Sequence, residues 1–189
     1  NLFQATVRRT QEASATAEVG RDISAPLQID LVLERIARYA KELLNAESSA
    51  VYLPEPATNS LRAIAAIGVD AEEIKNYPLE IGKGILGNIA IQKTGEIVND
   101  TAGDPRTITI KGTELNPLEH IMGVPVLSKD QMTGLVAVWR SGKTNEFKLS
   151  ELDFLSRLAQ QAAVAIENAR LYDETQKRLS ELETINRVS

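Results

Sequence analysis

The sequence predicts an α+β sandwich of sheet and helices. Helical patterns occupy both ends, short β-prone runs fill the middle, and two pairs of these runs stand at hairpin spacing. At 189 residues the chain suits one domain with extensions and can bury a sizeable core.

Taken in order, residues 2–24 are rich in Ala, Glu, Gln and Arg, with no Gly or Pro before Gly20, and read as a helix that Pro26 ends. Asp30 then caps a second helix whose apolar face is Leu31, Ile36, Ala37, Ala40, Leu43 and Leu44. Residues 49–53 form a short apolar strand, 54–60 a turn, and 61–67 the returning arm of a hairpin. Residues 70–76 read as a short polar helix stopped before Pro78. Residues 85–93 read as another, ended by Thr94-Gly95, with 96–98 extended after it. Residues 100–118 show no period and read as a long loop, the kind that in compact domains carries function or moves. Residues 121–127 and 134–139 pair across a turn at 128–131. The last helix starts at the cap Ser150, with Glu151 and Asp153 suiting its positive end, and runs about 38 residues without Gly or Pro. One domain's core cannot support that length, so the distal half is expected to need a partner.

Composition excludes several chemistries. There is no cysteine, hence no disulfide, thiol nucleophile, thiolate metal site or thioether-linked chromophore. A net charge of -5 argues against a nucleic-acid footprint, which needs a basic face. No apolar run approaches the roughly 20 residues that cross a bilayer. No secretory leader is visible, and Asn1 at the head places the natural start upstream. A cytoplasmic location is expected.

The two ends echo each other. Leu2/Leu171, Thr6/Thr175, Arg9/Arg178, Glu12/Glu181 and Val19/Val188 are identical in one register, and Phe3/Tyr172 and Arg8/Lys177 are conservative. Either two charged helices match through shared composition, or residues 1–25 are a linker helix, the tail of a preceding similar domain in a tandem array. In heptads, the last helix places Leu158, Ala165, Tyr172, Leu179 and Asn186 at one seam position. Phe154, Gln161, Asn168, Thr175 and Leu182 fall at the other. The proximal half is expected to cover the domain's own sheet. The distal half, 173–189, is expected to pair as a coiled coil in a homodimer, the interface being Leu158, Ala165, Tyr172, Leu179, Leu182 and Asn186.

Six segments then stand in a familiar order: Ala37-Arg38-Tyr39-Ala40-Lys41-Glu42-Leu43-Leu44-Asn45-Ala46 leading to Ser49-Ala50-Val51-Tyr52-Leu53, Gly82-Lys83-Gly84-Ile85-Leu86-Gly87, Thr94-Gly95-Glu96-Ile97-Val98-Asn99-Asp100, Met122-Gly123-Val124-Pro125-Val126, Thr133-Gly134-Leu135-Val136-Ala137-Val138, and Glu167-Asn168-Ala169-Arg170-Leu171-Tyr172. Together they resemble the GAF family over residues 28–172. The resemblance implies a central antiparallel sheet related to PAS domains, with helices packed on one face and long terminal helices. It also implies a small-molecule pocket on the other face. Family members bind cyclic nucleotides, bilins, haem, amino acids, oxo-acids or small anions, or only mediate dimers. They sit upstream of histidine kinases, cyclases, phosphodiesterases or transcriptional activators. A non-enzymatic sensor segment of a multidomain signalling protein is therefore expected, its parent a phytochrome-like sensor histidine kinase of a two-component system or another signalling enzyme.

The residues narrow the ligand. Covalent bilin and the thiol chemistry of the free methionine sulfoxide reductases with this fold both need cysteines. The cyclic-nucleotide signature keeps Asn145 and Phe147 but has Glu146 for its Lys and Glu151-Leu152 for its closing acids, which argues against cyclic GMP. His120, the sole histidine, is a weak candidate for haem and too few for zinc. Gly82-x-Gly84-x-x-Gly87 opens a helix, with Asp100 18 residues after Gly82, yet no second βαβ unit follows it. The expected ligand groups are Asn99, Asp100, Arg106 and Thr107 in the loop, with His120 and Trp139 bordering strands. Arg106 suits a carboxylate or phosphate, so a small polar or anionic metabolite is expected. Arg106 and Thr107 also read as solvated loop residues, and Trp139 as core. The alternative function is a ligand-free module for dimerisation and signal relay. A pocket with convergent polar groups marks the sensor, and one filled by Ile and Leu the relay.

Overall fold

The computed structural model describes residues 25–188. In chain order these form α1 (Ala25–Leu43), β1 (Ser48–Glu55), β2 (Ser60–Gly68), α2 (Ala71–Asn76), β3 (Leu79–Glu80), α3 (Gly84–Gln92), β4 (Glu96–Val98), β5 (Glu119–Ser128), β6 (Gln131–Ser141) and α4 (Leu149–Val188). The strands make one sheet in the order β3-β2-β1-β6-β5-β4, antiparallel at every pairing. The hairpin β5–β6 turns through Lys129 and Asp130, both at positive φ (49 and 62), the backbone that a two-residue turn matched to strand twist requires. Residues 100–118 contain neither helix nor strand, as expected.

Alternation along the strands sorts the core into two layers. Val51, Met122, Val124, Val136 and Val138 point to one face and pack with Leu33, Ile36, Ala37 and Ala40 of α1 and Leu155, Leu158 and Ala162 of α4. Tyr52, Leu61, Ile121, Leu135 and Ala137 point to the other, against Ile85, Leu86 and Ile89 of α3 and Ile74 of α2. The two long helices thus share one face, and two short ones stand on the opposite face around the cavity described below.

Several local expectations are corrected. Pro26 lies in the first turn of α1, where its missing N–H costs nothing because that turn's N–H groups have no helical acceptor to lose. Asp30 is inside α1, not its cap. Leu31 and Leu43 are 64% and 53% exposed, while Leu33 is fully buried, because α1 starts earlier and turns the stripe 33/36/37/40/44 inward. Ser150 stands one residue inside α4; the end is capped by Glu151, whose Oε2 accepts the Lys148 N–H at 2.8 Å. Leu158 is buried in the domain's own core, so it is not available to a second chain. Ala165 is half-buried, while Tyr172, Leu179, Leu182 and Asn186 are exposed on the distal half. The helix expected over residues 2–24, and the N-terminal half of the echo, lie outside the described residues. Among the described residues no helix is long and apolar enough to cross a membrane.

Candidate ligand site

On the face away from α1 and α4 lies a cavity of about 140 Å³. Tyr52 of β1, Ile121 of β5 and Trp139 of β6 come from the sheet, and Ile85 and Leu86 from α3. Thr101, Thr107, Ile108 and Ile110 come from the 99–118 loop, with Tyr77, Glu80 and Lys83 completing the lining.

The glycines after β3 bring α3 close enough to form this wall. Gly84 has φ +70, and a Cβ at Gly87 would stand 2.3 Å from the Glu80 carbonyl oxygen. Gly82 N–H donates to Gly87 O at 2.9 Å. With every strand pairing antiparallel, the glycine run serves close packing of a helix on a strand and not a dinucleotide-binding βαβ unit.

The loop is tied down by its own polar residues. Arg106 donates to both Glu96 oxygens (3.1 and 2.7 Å) and to both Asp104 oxygens (3.0 and 2.7 Å). The hydrogen bonds to Asp104 and then Glu96 push its guanidinium further toward permanent charge, and Arg106 in turn holds Asp104 below the usual carboxylate range. Thr101 Oγ1 donates to Glu119 O at 3.1 Å, and the Thr107 hydroxyl donates to Thr101 O. The Asn99 amide bridges to Phe147, donating to its carbonyl at 3.0 Å and accepting its N–H at 2.8 Å. Asp100 Oδ1 accepts Gly103 N–H at 2.9 Å. His120 is 4% exposed, its Nδ1 2.6 Å from Asn99 O and its Nε2 2.8 Å from Gly142 O.

Of the six expected ligand groups, the structure brings Thr107 and Trp139 to the cavity. Asn99, Asp100, Arg106 and His120 do not line it. Arg106, expected at an anion, is saturated by two carboxylates, and both His120 nitrogens face carbonyl oxygens, which leaves neither for haem iron. Among the described residues no three His, Asp or Glu side chains are placed to hold a metal ion.

Most of the lining escaped the sequence reading, Tyr52 and Glu119 among it. Tyr52 is 2% exposed; its hydroxyl makes no hydrogen bond among the described residues but opens to the cavity, since every fully enclosed side-chain polar atom there has a partner. Burial pushes its pKa well up. Glu119 is half-buried and in no ion pair among the described residues. Burial raises its carboxyl above the usual range, helped by the charges of Asp70 and Glu47 and opposed by the Thr101 hydroxyl and His120. The available signal was parity: Glu119 and Ile121 alternate with His120, and a tyrosine inside an otherwise aliphatic strand invites the question of what its hydroxyl meets. A second hollow of about 90 Å³ adjoins the first, sharing Thr107, Ile108, Ile110, Glu119 and Trp139, and is further lined by Glu47, Asp70 and Glu114.

A family model described as GAF domain matches residues 28–168. The Nif-specific regulatory protein of Herbaspirillum seropedicae is 22% identical over 130 residues, which is 67% of this chain and 24% of that protein. The chain therefore spans about a quarter of that relative's length. The GAF domain of a phosphoenolpyruvate-protein phosphotransferase from Coxiella burnetii superposes with a TM-score of 0.70 at 17% identity, covering 86% of this chain and 94% of that one. Free methionine-R-sulfoxide reductase from Neisseria meningitidis, in complex with its substrate, superposes with a TM-score of 0.65 at 17% identity, covering 83% and 86%. At such identities the two structures establish the shared fold alone.

Proposed function

The chain belongs to the GAF domain family, and from that premise we propose that it is the small-molecule-sensing module of a multidomain signalling protein, relaying the state of its cavity through paired helices to an output domain. The observation that carries this reading is the cavity of about 140 Å³, to which Tyr52, Thr101, Thr107 and Glu119 bring polar side chains among apolar ones. A concave, largely apolar hollow with a few polar groups is the ordinary form of a small-molecule site, and the Tyr52 hydroxyl open to it can bond a bound molecule.

Relay needs a mechanical link from the cavity to α4. Strand β6 supplies one, since Trp139 lines the cavity and Arg140 holds Glu151 in the first turn of α4. A ligand shifts the output only if it binds one arrangement of that link better than the other. The distal half of α4 carries Leu171, Tyr172, Leu179, Leu182 and Ile185 exposed to solvent, and pairing it with a second copy would bury them. In this reading Asn186 sets the register of the pair. The segment itself is a sensor and not an enzyme: with no cysteine it lacks the thiols that a sulfoxide reductase of this fold uses.

Native mass spectrometry before and after gentle denaturation, with a thermal-shift metabolite panel, tests the proposal. A stoichiometric small molecule, or a compound that raises the melting temperature of the wild type and not of Tyr52→Phe, supports it. An empty protein that no compound moves leaves the ligand-free relay.

A further inference from the structure

The charge around the cavity identifies what it takes. The two adjoining hollows are lined by the carboxylates of Glu47, Asp70, Glu80, Glu114 and Glu119 against one cation, Lys83. Lys83 is already paired with Glu80 at 2.8 Å, and Arg106 is held by Glu96 and Asp104. What remains is a surplus of negative charge, with no free basic group among the described lining residues to meet an anion. Glu119 stands where the hollows join, half-buried and in no ion pair among the described residues, so its charge is weakly screened and open to a counter-ion.

The rest of the lining says what kind of cation. Among the described residues no three acidic side chains converge as a metal requires. Instead Tyr52, Tyr77 and Trp139 bring aromatic rings to the cavity, the surfaces that attract organic ammonium groups. Ile108, Ile110 and Ile121 offer only apolar contact. A volume of about 140 Å³ is close to the roughly 150 Å³ that accommodates benzene in an apolar protein cavity. From this juxtaposition we infer that the cavity accepts a small organic cation, an ammonium group on an apolar body of about benzene's size, with the ammonium at Glu119 and the body against α3. The inference rests on the sensor reading of the same cavity and gives its ligand a charge opposite to the anion that Arg106 suggests in the sequence.

Isothermal titration calorimetry with benzylammonium, benzyl alcohol and benzoate tests it on the full 189-residue chain. The expected result is that benzylammonium binds at least ~10-fold more tightly than the uncharged alcohol, as a charge-assisted bond to a half-buried carboxylate implies. Added salt weakens the ammonium and not the alcohol, and benzoate does not bind. Glu119→Gln brings the ammonium down to the level of the alcohol, and an unchanged urea midpoint shows that the variant is folded. Asp70→Asn, at an exposed position, weakens the ammonium alone and by less. If benzoate binds as well as benzylammonium, or Glu119→Gln leaves the ammonium unaffected, the cation assignment is overturned while the sensor reading stands. If no compound of any charge binds and the metabolite panel is equally silent, the sensor reading falls and takes the inference with it.

Discussion

Trp139 and Arg140 are consecutive residues of β6 whose side chains leave opposite faces of the sheet. Trp139 lines the cavity. Arg140 donates to both Glu151 oxygens at 2.9 Å, to Leu44 O and Asn145 O at 2.6 Å, and to Glu146 O at 2.8 Å, with its guanidinium 4.0 Å from the Phe147 ring centroid. One strand position therefore separates the candidate ligand site from the clamp that fastens the end of α1 to the start of α4.

Removing that clamp strands several buried acceptors at once. Arg140→Ala is expected to lower unfolding free energy by about 3–5 kcal/mol, the range for breaking a buried ion pair from one side. Arg140→Lys keeps the charge but loses the planar fork, and should fall between the two. Urea midpoints check both. An alanine variant within 1 kcal/mol of wild type would show that the clamp is incidental to the packing.

Glu151 makes stability depend on acid. Burial works against its carboxylate, but hydrogen bonds from Arg140 and the Lys148 N–H, with the charges of both side chains, outweigh it and hold the pKa below the usual range. A folded pKa below the unfolded one means stability that is present above the ordinary carboxylate value, ~4.3, and lost as pH falls through the folded pKa. The stability gap between wild type and Glu151→Gln should be full near neutrality and close on acidification below ~4.3. Thermal unfolding across that range checks it, and a gap that stays constant contradicts it.

Two hydroxyls of β1 should behave oppositely. Ser49 is fully buried and donates to the Ala37 carbonyl, so Ser49→Ala costs about 1 kcal/mol. Tyr52 has no bond to lose, so Tyr52→Phe leaves the empty protein within about 0.5 kcal/mol of wild type or more stable. A large loss in Tyr52→Phe would reveal a partner for that hydroxyl and weaken the case for a ligand.

Residues 173–187 are exposed throughout. Ending the chain at residue 172 should leave the core's melting temperature unchanged while sedimentation moves from dimer to monomer. A truncated chain that still dimerises would place the interface elsewhere.

Binding of benzylammonium should weaken as pH falls, and from a higher pH than an ordinary carboxylate would give. Burial, then the charges of Asp70 and Glu47, raise Glu119 and outweigh the opposing Thr101 hydroxyl and His120, so a proton displaces the cation early. Calorimetry from neutral to mildly acidic pH reads this directly. A flat profile would remove Glu119 from the binding group.

Short-range chemistry made most of the fold legible in the sequence. Apolar periodicity placed α1, the Thr94-Gly95 stop placed α3, a long run without Gly or Pro placed α4, turn residues placed both hairpins, and the ordered segments from Ala37 to Tyr172 pointed to the family that residues 28–168 match. The absence of cysteine alone closed off thiol chemistry. The site was less legible, because facing is decided by pairing across long sequence separations. Tyr52 and Trp139 line one cavity only because β1 lies beside β6, and Glu119 reaches it only because strand parity turns His120 the other way. Arg106 looked like an anion receptor in its own loop, but the fold returned that loop to Glu96, where two carboxylates saturate the guanidinium. Leu158 and Leu179 share a heptad position; only the tertiary structure buries the first against the sheet and leaves the second exposed, because the sheet ends before the helix does.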